Sequence, residues 1–485
     1  MREIAIIGED EAREILASVP LEDRLRGYYI CDEYIVILRV QRFLNNPKTL
    51  VDLIVNLKRQ HNQKIYLPFL ANPYNIATLH LIGVDVFDFS SAKYHAKLGK
   101  KYTVGGITEA KDKKENIYEE NLNFLRKTVE DLKEFKRKGL LREFAERTSD
   151  SWARVLLRYA DIFHHNFYEI FYPVRAPQSG FKIYADYIES LYRPDVVRFR
   201  KRIAERYLKP RCAKYLILLP CSAKKPYEKS KTHRRINKYL SSLKNAGIFH
   251  RVVVTSPLGL VPMELQYTYP AAHYDLPVIG YWFREEIDII VEMLERFTRG
   301  YAGTFAYGED LEFLKNYFDL EHFTDIRDMV SHLKEIEKEE DFVDKKTKKL
   351  CDFESISSFQ FGKIIWEGNA EVKGKSLFVE GENYLNFSTE TGMLILTEKS
   401  AEYLAKERIY TVTMEDFDLT GDLFAAGVLD ASDDIRIGDE VAIVDSSENL
   451  RAWGTAKMNY LDMRRSNRGL AVAVRHRVKR NSKHN

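Results

Sequence analysis

Between Pro220 and His233 the chain reads Pro-Cys-Ser-Ala-Lys-Lys-Pro-Tyr-Glu-Lys-Ser-Lys-Thr-His. Five side chains in this run can form bonds or move protons: Cys221, Lys225, Tyr227, Ser230 and His233. A thiolate adds to an electrophilic carbon, and a neighbouring lysine, tyrosine or histidine carries protons to and from the adduct. From Pro220 to Arg235 six Lys or Arg stand against one acid, Glu228, in a chain whose formal charge is only +3. Such a local positive field, with a helix N-terminus following, favours thiolate over thiol at Cys221. The competing reading is structural. An isolated cysteine at a strand end commonly packs in a core, and Tyr227, Ser230 and His233 can cap the next helix. Capping does not account for three different proton-transfer groups in one loop.

A second run, Thr255-Ser-Pro-Leu-Gly-Leu-Val-Pro-Met-Glu264, leaves the next strand at the same edge and is expected to bring Ser256 and Glu264 toward the first loop. Tyr269-Pro270 and His273-Tyr274-Asp275 continue a long irregular segment, and loops of that length are uncommon unless functional. The candidate substrate-binding set is therefore Pro220, Ser222, Pro226, Ser256, Gly259 and Glu264.

The elements that must hold these loops follow from periodicity. The apolar run Tyr215-Leu-Ile-Leu-Leu219 enters the cysteine loop, and Ile236, Tyr239, Leu240 and Leu243 mark a helix before the next run, Arg251-Val-Val-Val-Thr255. A further helix around Ile287–Leu294 and a run Gly303-Thr-Phe-Ala-Tyr307 repeat the cycle. Continuous apolar strands separated by helices predict a doubly wound α/β domain with a parallel sheet over 175–340, and ligands then sit beyond the carboxyl ends of the strands. Residues 1–174 alternate β and α patterns for about 105 positions, less than half of the roughly 250 a complete barrel takes, and then give one long helix from Asn116 to Glu146. The charged stretch Glu337–Lys349 reads as a linker. Short Gly-punctuated strands and one helix over 350–407 suggest a small α+β domain, and 408–485 reads as a small β-barrel.

Composition bounds the answer. With 485 residues, about three domains are expected from length. Apolar residues make up 45%, charged residues 30% and aromatic residues 12%, which excludes a collagen-like or largely disordered chain. No apolar run approaches the length that spans a bilayer, and the first residues show no secretory apolar region, so a cytoplasmic protein that does not engage membranes is expected. Cys31, Cys212, Cys221 and Cys351 contain no Cys-x-x-Cys pair. Adjacent histidines, His164 and His165, point about 100° apart on a helix, so packing or surface placement is their default. Neither a metal nor a cofactor is expected. Since 75 basic residues nearly balance 72 acidic ones, any nucleic-acid affinity must lie in distribution. From Arg464 to Lys483 there are eight basic residues and no acid, including Arg464, Arg465, Arg468, Arg475, Arg477, Lys479 and Arg480. A stripe of this kind suits phosphate contacts, although a basic tail can also be merely solvated.

Pro220-Cys221, Lys225-Pro226-Tyr227, Ser230 and His233 together resemble, without gap or substitution, the motif of the archaeosine synthase family, archaeal tRNA-modifying enzymes of amidotransferase type. The second loop and Arg193-Pro194-Asp195-Val196-Val197-Arg198-Phe199-Arg200 also look like that family. Tyr66–Pro73 with Gly83–Asp88 is similar to the later part of a tRNA-guanine transglycosylase barrel, and Phe424–Val428, Ile437–Val441, Gly454, Met458 and Gly469–Arg475 look like a PUA domain. The resemblance implies a degenerate or partial TIM-like β/α N-terminal region, a catalytic centre on Cys221, Lys225, Tyr227, Ser230 and His233, and a C-terminal RNA-binding PUA β-barrel. No transglycosylase nucleophile segment or clustered zinc cysteines occur, so base exchange is not expected.

The reaction implied is addition of an amine to the nitrile of 7-cyano-7-deazaguanine already placed in the D-loop of tRNA. Free lysine is the family's donor, with glutamine and ammonia chemically open, and a radical SAM partner enzyme cleaves the adduct to archaeosine. Relatives often form dimers, which makes a homodimer an expectation. The chemistry of the residues agrees, since Cys221 adding to a nitrile would give a thioimidate that an amine displaces. Two other readings stand beside it: a non-catalytic tRNA-binding protein, and an active tRNA-guanine transglycosylase.

Overall fold

The computed structural model describes residues 3–110, 116–171, 182–276 and 281–478. The chain divides into two compact units, Met1–Tyr168 with Pro177–Phe181, and Glu169–Ala176 with Lys182–Asn485. In the first unit the apolar runs form a sheet of β1 (Ala5–Ile6), β2 (Tyr28–Ile30), β3 (Tyr34–Ile37), β4 (Lys64–Tyr66) and β5 (Val86–Phe87), ordered β1-β5-β4-β3-β2. Its strands run parallel except for β2, which lies antiparallel to β3 at one edge. Ile35, Val36, Ile37, Ile65 and Tyr66 are fully buried, as strands covered on both faces must be. Helix α1 (Pro47–Gln60) buries Leu50, Val51, Ile54 and Val55, one stripe at helical spacing. The sheet is open, with five strands and two edges where a closed β/α barrel takes eight strands. The single helix expected from Asn116 to Glu146 is instead two: α2 (Ile117–Arg137), with Leu125 and Leu132 on its buried side, ends where Gly139 turns at φ +73°, and a short second helix follows over Leu141–Thr148. His164 is used locally, its Nε2 lying 2.7 Å from Asp52 Oδ1.

The second unit is built around β7 (Tyr215–Pro220), which the uninterrupted apolar run makes a central strand. Strands β8 (Phe249–Thr255), β9 (Gly259–Pro262), β11 (Gly303–Tyr307) and β12 (Glu321–Phe323) complete a sheet ordered β9-β8-β7-β11-β12, and a short parallel pair, β6 (Ile183–Tyr184) with β10 (Tyr274–Asp275), lies apart. The neighbours β8/β7, β7/β11 and β11/β12 are parallel, whereas β9 turns back antiparallel to β8. Leu216 and Leu218 share a core with Ile290 and Leu294 of α5 (Arg284–Phe297), while Ile217 and Leu219, on the opposite face, are equally buried. From β7 the chain moves first to β8 and then crosses to β11 on the other side. The order therefore reverses at β7, which opens a crevice at its carboxyl end.

Helix α3 (Pro194–Glu205) carries much of the Arg193–Arg200 segment and joins the sheet to the C-terminal module. Arg198 and Arg202 each reach Asp439 at 3.6 Å, and Arg206 just beyond the helix reaches Asp434 at 2.9 Å. The stretch from Glu337 to Lys349, expected as a linker, ends inside a helix. Asp344 caps α6 (Lys345–Phe361) by accepting from the Thr347 N–H at 2.7 Å, so Lys345–Lys349 form its first turns. After it come a four-stranded antiparallel meander, β13 (Ala370–Lys373), β14 (Ser376–Val379), β15 (Glu382–Phe387) and β16 (Leu394–Leu396), and helix α7 (Glu398–Glu407). The last module has six strands, β17 (Thr411–Met414), β18 (Leu423–Phe424), β19 (Val428–Ala431), β20 (Glu440–Val444), β21 (Leu450–Ala456) and β22 (Leu470–Arg477), ordered β18-β22-β21-β20-β17-β19. Gly454 sits at a register shift between β21 and β22, where a Cβ would lie 2.1 Å from the Ala473 carbonyl, so only glycine lets these strands approach. No helix among the described residues is long and apolar enough to cross a membrane.

Candidate active site

β7 ends at Pro220 and delivers Cys221 to the crevice. The parallel register pairs Val254 with Pro220, so Thr255 follows beside Cys221, where its side chain favours the charged form of the sulfur. Thr255 also hydrogen-bonds the Tyr274 hydroxyl, which is 2.7 Å from the Tyr227 hydroxyl. A buried chain of hydroxyls thus runs from Tyr227 through Tyr274 to Thr255, next to Cys221. Lys225 lies with its Nζ 3.9 Å from the centre of the Tyr274 ring, a cation–π position.

Electrostatics at this pair differ from the expectation of a ready thiolate. Burial pushes the Cys221 thiol up, Lys225 pulls it down and Asp310 pushes it up again, with the net shift upward. Desolvation of a charged sulfur outweighs one neighbouring cation. Burial acts on Lys225 in the opposite sense and brings it down to about 8, against the pull of Cys221 and Asp275. The resting site is a thiol beside a lysine that is partly neutral near physiological pH.

The other residues of the loop hold it in place. The Ser230 side chain accepts from the His233 N–H at 3.0 Å and caps α4 (Lys231–Leu240). His233 is fully buried, with Nε2 2.9 Å from the Pro220 carbonyl, and burial lowers it to about 4, so it stays neutral. Its ring packs 5.3 Å from that of Tyr227. The Ser222 hydroxyl donates to the Lys224 carbonyl at 3.2 Å, and the bonds Lys225–Pro226 and Ser256–Pro257 are cis.

Not every expected residue converges. Ser256 is buried directly after β8. Gly259 makes the turn into β9 at φ +73°, under α5, where a Cβ would meet Met293 Sδ at 2.4 Å. Glu264 lies elsewhere. Because β9 runs antiparallel to β8, pairing Pro262 with Val252, the chain is carried back to the amino end of the sheet. There Glu264 accepts from the Tyr207 hydroxyl and faces His250 Nε2 at 3.4 Å, so its placement beside the first loop is corrected.

Four groups at the crevice were not singled out as site residues from sequence: Thr255, Tyr274, Asp275 and Asp310. Asp275 pairs with Lys182 at 3.1 Å and acts on Lys225. Asp310 follows β11, whose register pairs Ala306 with Leu218 and so sets Gly308 beside Pro220. The one available signal was position, since Asp310 lies just past a strand at the carboxyl edge.

The basic stripe is only partly free for phosphate. Glu440 binds the Arg475 guanidinium bidentately at 2.6 and 2.8 Å, and Arg464 pairs with Asp430 at 2.6 Å and Asp433 at 2.7 Å. Arg477 is exposed and donates to the Thr420 carbonyl. Arg465 and Arg468 are exposed as well, while Lys479 and Arg480 lie outside the described residues.

A cysteine and a depressed lysine thus stand at the carboxyl edge of an α/β sheet, in a chain whose last module is a small six-stranded β structure. Residues 196–338 match a family model described as a domain of unknown function (DUF5591), and 417–478 match the PUA domain. The chain is 32% identical to an archaeosine synthase subunit alpha of Thermoplasma acidophilum, over 98% of this chain and 93% of that one. It is 27% identical to an archaeosine synthase of Haloferax volcanii, over 91% and 82%. A tRNA-guanine(15) transglycosylase of Methanocaldococcus jannaschii is 25% identical, over 90% and 68%. The chain belongs to the archaeosine synthase family.

Proposed function

We propose that this chain modifies tRNA in archaeosine biosynthesis by adding an amine donor, lysine in the first instance, to the nitrile of 7-cyano-7-deazaguanine in the D-loop. The observation that carries this reading is the Cys221–Lys225 pair. Neutral Lys225 takes the thiol proton as the sulfur attacks the nitrile carbon, and its ammonium returns that proton to the nitrile nitrogen. The product is a thioimidate. A donor amine then displaces the sulfur, leaving an amidine on the base and restoring the thiol. The hydroxyl chain from Tyr227 through Tyr274 to Thr255 holds sulfur and ammonium in register, and His233 fixes the Pro220 carbonyl that orients Cys221. Arg468 supplies a phosphate contact on the PUA module. A radical SAM partner enzyme would then cleave the lysine adduct.

The test is incubation with tRNA carrying 7-cyano-7-deazaguanine and lysine, followed by mass analysis of the nucleosides. A gain equal to lysine, lost in Cys221→Ala, is expected. No gain with lysine, glutamine or ammonia, despite tight tRNA binding, would replace this reading with a recognition protein.

A further inference from the structure

We infer that Asp310 is a catalytic residue of the second half-reaction, the group that binds the incoming ammonium and takes its proton before it attacks. The inference rests on the function proposed above and assigns a role that the cysteine loop does not fill.

Asp310 stands one strand away from Cys221 in a loop shaped to hold it. The Gly308 N–H donates to the Phe323 carbonyl at 3.0 Å, and the Gly308 carbonyl lies 2.8 Å from His322 Nε2. The Trp282 indole donates to the Asp310 carbonyl at 2.7 Å, which fixes the backbone from the other side. Gly308 has φ +116°, and a Cβ there would lie 2.8 Å from Asp310 Oδ1 and 3.3 Å from Pro220 Cγ. The carboxylate is therefore folded over the end of β7, within one missing side chain of the residue that precedes Cys221. Both Cys221 and Asp310 are only partly buried, so a ligand can reach each of them.

Its chemistry is uncommitted. Asp310 makes no ion pair among the described residues, and the hydrogen bond acting on its carboxylate comes from its own backbone. The titratable groups around it are Cys221 just past the end of β7, His322 on β12 and Glu309 beside it. Burial and Glu309 push the carboxyl up while His322 pulls it down, with the net upward. A half-desolvated carboxylate lacking a cation is suited to an alkylammonium ligand, and an acid strengthened as a base can accept a proton from one.

The step balances. The ammonium of the donor gives one proton to Asp310, and the neutral amine attacks the thioimidate carbon. The C–N bond forms and the C–S bond breaks. Sulfur leaves with a second proton from the attacking nitrogen, and Asp310 returns the first proton to the imine nitrogen, giving an amidinium and a free thiol.

Asp310→Asn separates this step from the first. With tRNA carrying 7-cyano-7-deazaguanine and no amine, the variant, read by intact-protein mass, is expected to form the Cys221 adduct no more slowly than the unaltered protein, because losing the Asp310 charge removes one of the influences that push the thiol up. With lysine at pH 7, turnover should fall about 100-fold or more, and the deficit should shrink as pH rises and free amine replaces ammonium. Asp310→Glu should recover part of the loss. Turnover within about threefold of the unaltered protein, a deficit independent of pH, or loss of adduct formation would overturn the assignment. If the unaltered protein gives neither adduct nor product, the function itself is wrong, which is a different result.

Discussion

Replacing Lys225 by arginine isolates the base that the proposed covalent step needs. Burial lowers Lys225 to about 8, so at pH 7.5 about a quarter of it is neutral, against roughly one in a thousand for an ordinary lysine. That is a gain of roughly 200-fold in available base. Arginine keeps a cation near Cys221 but cannot give up its proton under these conditions. Lys225→Arg removes that base altogether and should therefore slow adduct formation by about 100-fold or more at pH 7.5, with the adduct still detectable after long incubation. The assay is single-turnover adduct formation followed by mass across pH 6 to 10. In the unaltered protein the rate should climb with pH, reach half its plateau near pH 8 and level off about a unit above, because the neutral lysine is the active form. A rate in Lys225→Arg within about tenfold of the unaltered protein, or a pH-independent rate between 7 and 9 in the unaltered protein, would refute the reasoning.

Glu264→Ala should cost stability rather than chemistry, about 3 to 5 kcal/mol read by thermal unfolding, because it strips the partner from His250 and Tyr207 in a buried cluster. Burial pushes the Glu264 carboxyl up, but His250, Lys348 and Tyr207 outweigh it and hold it well below the ordinary range. Its contribution is therefore present above the unfolded carboxyl pKa and is lost as pH falls through the folded one, so Glu264→Gln should flatten the acid limb of stability. Arg468→Ala should lower the slope of log affinity for tRNA against log salt by about 0.7 to 0.9, the share of one phosphate contact. Arg475→Ala should leave that slope unchanged and instead lower the unfolding temperature, because its guanidinium belongs to Glu440. Ser230→Ala should cost about 1 kcal/mol through the lost cap on α4, measured by denaturant unfolding.

The cysteine loop was legible because its parts are contiguous: one apolar run leads into Pro220–His233 and the next helix begins at once. The sheet around β7 was legible for the same reason, since Leu216–Leu219 and Val252–Val254 are apolar at every position. Residues that arrive from other strands were not. Asp310 meets Cys221 only through the pairing of β7 with β11, and no local pattern specifies that register. Glu264 was misplaced because Gly259–Pro262 looks like loop but forms an antiparallel strand that carries the chain to the other end of the sheet. Arg475 reads as one more basic residue in a stripe, and its partner Glu440 lies two strands away in the barrel order. The thiolate expected at Cys221 failed for a physical reason: charge counting along the sequence omits desolvation.

The most direct measurement is peptide mass mapping of the protein after incubation with tRNA carrying 7-cyano-7-deazaguanine in the absence of any amine. The account predicts a nucleotide-bearing thioimidate on the peptide containing Cys221, discharged when lysine is added. Amidine product formed at an undiminished rate by Cys221→Ser, with no adduct on the unaltered protein, would contradict it.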